Sequence, residues 1–134
     1  NPDVVSRFLT ARATADQWMR EHPDEAAEAA TRWLPGTAPE VAKEAMQYNV
    51  AQLDPRFSAC NYVALDTVAQ LLAEQGVTQP GFAVAQRFVP GPITTVMSEQ
   101  PALFDDLPPI PDAARIGPDY AYDREAALAA CPAT

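Results

Sequence analysis

Proline followed at once by an acidic residue occurs three times in the first forty residues, and this pattern constrains the fold more than any other feature. The pairs are Pro2-Asp3, Pro23-Asp24 and Pro39-Glu40. Proline suits the first turn of a helix because its missing N–H would have no partner there, and a carboxylate in that turn interacts favourably with the helix dipole. Each pair therefore predicts the start of a helix.

Apolar residues at steps of three and four follow each predicted start, and a stop signal follows them. Asn1 is placed to cap the first helix, and Gly36 lies just beyond the second. Thr37-Ala38-Pro39-Glu40 has the pattern of a capping box for the third. These signals predict helices over residues 2–21, 23–34 and 38–51.

A fourth helix is predicted over residues 59–75, with Ser58 as its cap and Gly76 at its end. Any strand is expected only after Gly76. The four helices form consecutive hairpins in this interpretation, so the fold class is mainly α. The residues expected to form their shared core are Phe8, Leu9, Trp33, Val41, Leu65, Val68 and Leu72.

Four segments, taken in order, carry a resemblance to a known family. They are Asn-Pro-Asp-Val-Val at residues 1–5 with Phe8-Leu9, the step from His22 to Ala27, Asp54-Pro55-Arg56, and the run from Leu71 to Gly76. At this spacing, residues 1–88 resemble the C-terminal part of periplasmic substrate-binding proteins of ABC importers. That group collects nitrate, sulfonates, taurine and thiamine precursors.

The resemblance implies that this chain is the C-terminal portion of a bilobal α/β binding-protein fold. It implies a periplasmic transport protein that is not an enzyme, uses no cofactor, and binds a small anionic or polar organic ligand. The implied partners are the remainder of the binding protein and an ABC permease. The family forms its cleft mainly from lobes that precede this segment, so no substrate-binding residue can be matched to a position here.

Residues 89–134 differ in character from the helical segment 1–88, and we predict that they form a proline-rich wrapping tail. Seven prolines lie between Pro90 and Pro118, which argues against long regular elements. Residues 93–97 have the composition of one short strand, and Asp123 is placed to cap a short terminal helix. The tail also keeps apolar residues, so we expect it to lie on the helices: Leu103, Phe104, Leu107, Ile110 and Ile116.

Charge and composition exclude several classes of function. Acidic residues number 18 and basic residues 9, which gives a formal net charge of −9 without a basic cluster. Nucleic acid is therefore excluded as a partner, because phosphate binding needs clustered cations. Apolar residues make up 48% of the chain, which is too many for a disordered segment.

Residues with catalytic or metal-binding chemistry are few, and none forms a recognisable site. His22 stands alone at a helix boundary, and no second histidine exists to complete a metal site or a catalytic pair. Asp105-Asp106 and the Asp119 to Asp123 stretch lack the alternating ligands of a calcium loop, which favours solvated carboxylates. Four aromatic residues either line a cleft or pack at helical spacing: Trp18, Trp33, Tyr48 and Tyr62.

The two cysteines, Cys60 and Cys131, leave two alternatives open. A disulfide is compatible with the exported compartment that the resemblance implies, and it would tie the tail to the start of the fourth helix. The other alternative is two unrelated thiols.

Two further functions stand beside the importer component. Consecutive helix hairpins also suit a helical interaction module that grips a partner peptide. A chain without catalytic residues also suits a scaffold subunit of a multi-chain enzyme. An obligate partner chain would favour either of these, whereas a contiguous region coding for two α/β lobes would favour the importer component.

Overall fold

A computed structural model describes residues 1–50, 53–79, 81–82, 87–117 and 121–131. Over these ranges the chain is mainly helical and contains no strand. Short 3₁₀ helices lie at Pro101–Phe104 and Asp112–Ala114. The α-helices are α1 (Pro2–Glu21), α2 (Pro23–Trp33), α3 (Pro39–Asn49), α4 (Ala59–Glu74), α5 (Gly91–Glu99) and α6 (Arg124–Ala130).

Most of the predicted helix starts are confirmed, and their caps have the expected chemistry. The Asn1 side chain accepts a hydrogen bond from the N–H of Asp3, and Asp123 accepts from two backbone N–H groups of α6. Ser58 is the N-cap of α4, and its own N–H donates to Oδ1 of Asn61 at 2.8 Å. Gly76 takes a positive φ of 71° where α4 ends, a conformation that glycine adopts without the steric cost of a Cβ.

The capping box predicted at residues 37–40 is not formed. The N-cap of α3 is Ala38, and no side chain caps this helix. A residue before proline is held in the extended region, so the helix cannot begin before Pro39. Glu40 therefore occupies the second helical position, whereas a capping box needs its acid at the third.

The strand predicted over residues 93–97 is also wrong, because these residues belong to α5. Their β-branched side chains favour a strand only as a weak preference that tertiary packing overrides. Ile93 and Val96 are three residues apart, and both are buried. That spacing places them on one side of a helix but on opposite faces of a strand.

Contacts between Cα atoms divide the chain into two compact units. The first comprises Asn1–Arg56 and Thr95–Leu107, and the second comprises Phe57–Thr94 and Pro108–Thr134. Helices α1, α2 and α3 lie in the first unit, and α4 and α6 lie in the second. The predicted division of the chain into residues 1–88 and 89–134 stays a prediction, because it rests on where the family resemblance ends and not on packing.

The predicted shared core is wrong for most of its members. Phe8, Trp33, Val41, Leu65 and Val68 are exposed, while Leu9 and Leu72 are only partly buried. The buried helical residues of the first unit are mostly small instead: Ala13, Ala26, Ala27 and Ala42. Helices that meet through alanines turn their larger apolar side chains away from the contact, and helical periodicity alone does not distinguish the two faces.

Aromatic rings form the core of the second unit around Tyr62, which is fully buried. Its ring stacks on Tyr122 at 5.0 Å between centroids and meets Phe57 edge-on at 4.8 Å. Phe88 stacks on Phe57 at 5.2 Å. A smaller cluster of Ala59, Val63 and Ala127 joins α4 to α6.

Candidate functional site

Cys60 and Cys131 form a disulfide, so the structure contains the first of the two alternatives for these residues. The bridge spans 71 residues of sequence and joins the first turn of α4 to the residue after α6. Both cysteines are partly buried beside the Ala59, Val63 and Ala127 cluster. Disulfides of this kind persist in oxidising compartments, which fits an extracytoplasmic protein.

Arg20, in the last turn of α1, makes four side-chain hydrogen bonds to described residues of the first unit. Its Nε and Nη2 bond to the two carboxylate oxygens of Asp106 at 2.6 and 2.9 Å. Nη1 donates to the carbonyl of Leu53 at 2.6 Å, and Nη2 also donates to that of Leu103 at 3.3 Å. The guanidinium therefore ties three separate stretches of chain together.

Electrostatics within this cluster favour the charged form of both partners. The hydrogen bond from Arg20 lowers the pKa of Asp106, outweighing the opposing effect of desolvation. The same hydrogen bond raises the pKa of Arg20. Because four of its five N–H donors bind protein acceptors, Arg20 serves as a structural clasp.

Helix α1 packs through its more polar side. Ala13 and Asp16 are its buried residues, and Gln17 donates to the carbonyl of Ala102 at 3.1 Å. The buried carboxylate of Asp16 accepts from Nε of Arg12 at 3.1 Å. On the opposite side lie exposed apolar residues, which we name the α1 stripe: Val4, Phe8, Ala11, Ala15 and Trp18.

The α2–α3 hairpin has two sides of different chemistry. One side is charged, with Nζ of Lys43 paired to Asp24 at 3.1 Å beside a cavity of about 300 Å³ that Glu25 and Glu28 also line. The other carries a groove of about 200 Å³ without a charged residue in its lining. Its lining residues are Ala30, Leu34, Thr37, Val41, Ala42, Ala45, Met46 and Asn49.

Large apolar side chains of α2 and α3 are exposed, and two of them, Leu34 and Val41, line this uncharged groove. Trp33 is 85% exposed and Tyr48 76% exposed, and Leu34 and Val41 are each more than half exposed. We name these four residues the hairpin face. Exposed apolar surface of this kind marks a place where another surface binds. The hairpin face is therefore the candidate functional site, and its chemistry is that of docking.

The remaining residues considered from the sequence do not converge on one site. His22 lies at the α1–α2 boundary, with its ring 5.5 Å from that of Trp18 and its Nδ1 3.9 Å from Glu25. Asp106 is bound by Arg20, and Asp123 caps α6, while Asp119 lies outside the described residues. No group of three potential metal ligands occurs among the described residues.

The Asp54-Pro55-Arg56 segment forms a turn that is stabilised by hydrogen bonds between its own residues. Oδ1 of Asp54 accepts from the backbone N–H of Arg56 at 2.9 Å, and Nη2 of Arg56 lies 2.7 Å from Oδ2. Both ends of the segment are thus held by its own side chains. The segment is therefore a structural turn before α4.

Sequence reasoning missed Arg20 and the hairpin face for different reasons. Arg20 looks like an ordinary basic residue near a helix C-terminus, and its partner Asp106 lies 86 residues away. For the hairpin face, the sequence shows only apolar residues at helical spacing, and this spacing predicts that Trp33 and Val41 are buried. The available signal was the alanine-rich sequence of α2.

Comparison with protein-family models, curated protein sequences and solved structures gives no match. Among the described residues, none of the helices has the length and apolar character needed to cross a membrane.

Proposed function

We propose that this chain is the C-terminal helical portion of the solute-binding component of an ABC importer. Its proposed location is the periplasm, and its proposed ligand is a small anionic or polar organic molecule of the sulfonate, nitrate or taurine type. The order and spacing of the four resembling segments support this proposal. The disulfide supports the exported location.

The hairpin face carries the structural part of the argument. Four large apolar side chains are exposed, and two of them, Leu34 and Val41, line an uncharged groove that shares no residue with the charged cavity beside Lys43 and Asp24. Helices with one apolar side are normally covered on that side by another layer of the same domain. In the proposed protein, the covering layer is the α/β lobe that precedes these helices.

The proposed mechanism assigns ligand recognition to the two lobes. Binding closes the lobes around the ligand, and the permease recognises the closed form. The helices described here hold the C-terminal part of the chain against one lobe through the hairpin face. Arg20 and the disulfide keep the two compact units ordered within themselves, and neither is assigned a ligand contact.

The experiment begins with an affinity tag added at the chromosomal locus to the C-terminus of the encoded polypeptide, followed by purification from the native source. Intact mass gives the size of the polypeptide and of any chain that copurifies with it. The expected result is a single exported polypeptide long enough for two α/β lobes. Thermal unfolding is then measured with taurine, methanesulfonate, nitrate and an aminopyrimidine, with glucose as the matched neutral control.

A ligand at about 100 times its Kd stabilises the folded form by about 2.7 kcal/mol, so at least one of the four test compounds should raise Tm by several degrees. No response to any compound would contradict the proposed ligand class. A short polypeptide that copurifies with a different chain would contradict the importer assignment.

The same face favours a second candidate, a helical interaction module or non-catalytic scaffold subunit. An uncharged groove lined by Leu34 and Val41, on a hairpin that also exposes Trp33 and Tyr48, has the chemistry of a surface that receives an apolar segment from another protein. A copurifying chain whose removal exposes Trp33 would support this candidate. The mass measurement therefore separates the two functions.

A further inference from the structure

The α1 stripe has the spacing of a coiled-coil seam. Val4, Phe8, Ala11, Ala15 and Trp18 follow one another at intervals of four, three, four and three residues. All five are exposed, including Phe8 at 65%. Over two heptads, these intervals match the heptad spacing by which one helix packs against another.

The contacts of α1 within its own unit use the opposite side of the helix. In the heptad frame, Ala13 and Arg20 occupy the position farthest from the seam. Ala13 is fully buried, and Arg20 binds Asp106 and the carbonyl of Leu53. The α1 stripe therefore remains exposed from Val4 to Trp18.

We propose that two copies of this chain associate through the α1 stripe with their α1 helices antiparallel. In this register, Phe8 faces the partner's Trp18 at both ends of the contact. Ala11 faces the partner's Ala15 in the middle, where small side chains let the two backbones approach closely. The contact goes beyond the proposed function and uses residues separate from the hairpin face.

Charged residues beside the α1 stripe favour the antiparallel arrangement of the two α1 helices. Arg7 and Glu21 are exposed and occupy equivalent flanking positions, two heptads apart. Antiparallel helices bring Arg7 opposite the partner's Glu21 twice, which gives two attractive pairs. Parallel helices would instead bring Arg7 opposite the partner's Arg12, which is repulsive.

The second flank of the antiparallel contact is compatible with the same register. Val5 faces the partner's Met19 at both ends, so apolar side chains meet there. At the centre Arg12 faces the partner's Arg12. The charge of each Arg12 is balanced by Asp16 of its own helix, at 3.1 Å.

The affinity should be modest, because the stripe is narrow. Two large aromatic residues and two alanines per copy bury less surface than a standard stable interface requires. We expect a Kd on the order of 10 μM, typical of small contacts. Concentrations from about 1 to 200 μM therefore span the transition.

The test is sedimentation equilibrium of the 134-residue chain, whose monomer mass is 14.5 kDa. Wild type should pass from monomer to dimer across this range. Arg7→Glu and Glu21→Arg should each weaken association about tenfold, since each replaces two attractive pairs by two repulsive ones. The double variant Arg7→Glu/Glu21→Arg, and an equimolar mixture of the two single variants, should restore the wild-type affinity.

Controls separate the contact from folding and from overall charge. Glu28→Arg makes the same charge change as Glu21→Arg at an exposed position on α2, and it should leave the dimer unchanged. Phe8→Glu should abolish dimerisation with unchanged circular dichroism, because Phe8 is exposed in the monomer. Neither measurement involves a ligand, so failure here is distinct from failure of the proposed function.

Three results would overturn the proposal. One is a chain that stays monomeric up to about 200 μM. Another is a dimer that does not respond to the charge reversals or to Phe8→Glu, since it would use another surface. The last is a monomeric native protein in which Phe8→Glu lowers the free energy of unfolding, which would mean that another segment covers the stripe.

Discussion

Arg20 and Asp106 lie 86 residues apart in sequence and form a two-point ion pair, with Nε–Oδ2 at 2.6 Å and Nη2–Oδ1 at 2.9 Å. The Arg20 side chain is only 7% exposed, whereas that of Asp106 is 34% exposed. The two ends of the pair thus differ in their access to water. This pair and the Gln17 bond to Ala102 attach the segment 95–107 to α1.

Replacing Arg20 by methionine should lower the free energy of unfolding by about 2 to 4 kcal/mol. The substitution keeps most of the aliphatic stem but leaves Asp106 and the carbonyls of Leu53 and Leu103 without their donor. Urea unfolding followed by circular dichroism measures the loss. Arg115→Met is the matched control, because its ion pair with Asp112 is largely exposed and should contribute less than about 0.5 kcal/mol. Equal losses in the two variants would contradict the role of Arg20 as a clasp.

The stability of the wild-type protein should depend on pH through Asp106. Because Arg20 lowers the folded-state pKa of Asp106, the stabilisation is present above the unfolded pKa of about 4 and is lost as pH falls through the folded value. Arg20 has a raised pKa and stays protonated throughout, so it adds no acid-range dependence. Urea unfolding of wild type and Asp106→Asn at about pH 7, 4 and 2.5 should show a stability gap that narrows towards acid. A stability difference between wild type and Asp106→Asn that grows at low pH would contradict a lowered folded-state pKa for Asp106.

Thiol titration of the denatured, unreduced protein should find no free thiol, since Cys60 and Cys131 are bridged. Replacing both by serine should destabilise the protein by about 4 kcal/mol in the chain-entropy model, because the bridge closes a loop of 71 residues in the unfolded chain. Urea unfolding of the double variant measures this effect. Two free thiols per chain would exclude the bridge. Unchanged stability in the double variant would indicate that packing alone holds α6.

Replacing Tyr62 or Tyr48 by alanine should change the free energy of unfolding by different amounts. Tyr62→Ala should cost about 3 to 5 kcal/mol, because a fully buried ring in contact with Phe57 and Tyr122 is removed. Tyr48→Ala is the matched control, since Tyr48 is 76% exposed and its loss should change stability by less than about 0.5 kcal/mol. Denaturant midpoints of the two variants give the comparison. A large loss at Tyr48 in the isolated chain would mean that the hairpin face is already covered.

Fluorescence of Trp33 should report whether the hairpin face is covered in the native protein. In Trp18→Phe, Trp33 is the single tryptophan and is 85% exposed, so acrylamide should quench it strongly in the 134-residue chain. In the natively purified protein, the proposed lobe covers this residue, so the part of the emission that disappears when Trp33→Phe is added should lie further to the blue and resist quenching. Identical quenching in both forms would contradict the packing role assigned to this face.

Local chemistry made the helix starts predictable from sequence. Proline and a carboxylate in the first turn act on groups within four residues, so the starts of α1, α2 and α3 follow from short segments. The cap at Asp123 and the end of α4 at Gly76 are local for the same reason. The error at residues 93–97 arose where the local signal was only a composition preference.

The sequence by itself determined where most helices begin and end, because capping and proline geometry are properties of a few adjacent residues. Only the tertiary structure decided which side of each helix is buried. Alanines such as Ala13 and Ala42 allow close helix contact, so Phe8 and Trp33 point outward although periodicity favours their burial. It also decided the partners of Arg20 and Cys60, since hydrogen bonds and disulfides form between residues that folding brings together from distant parts of the chain.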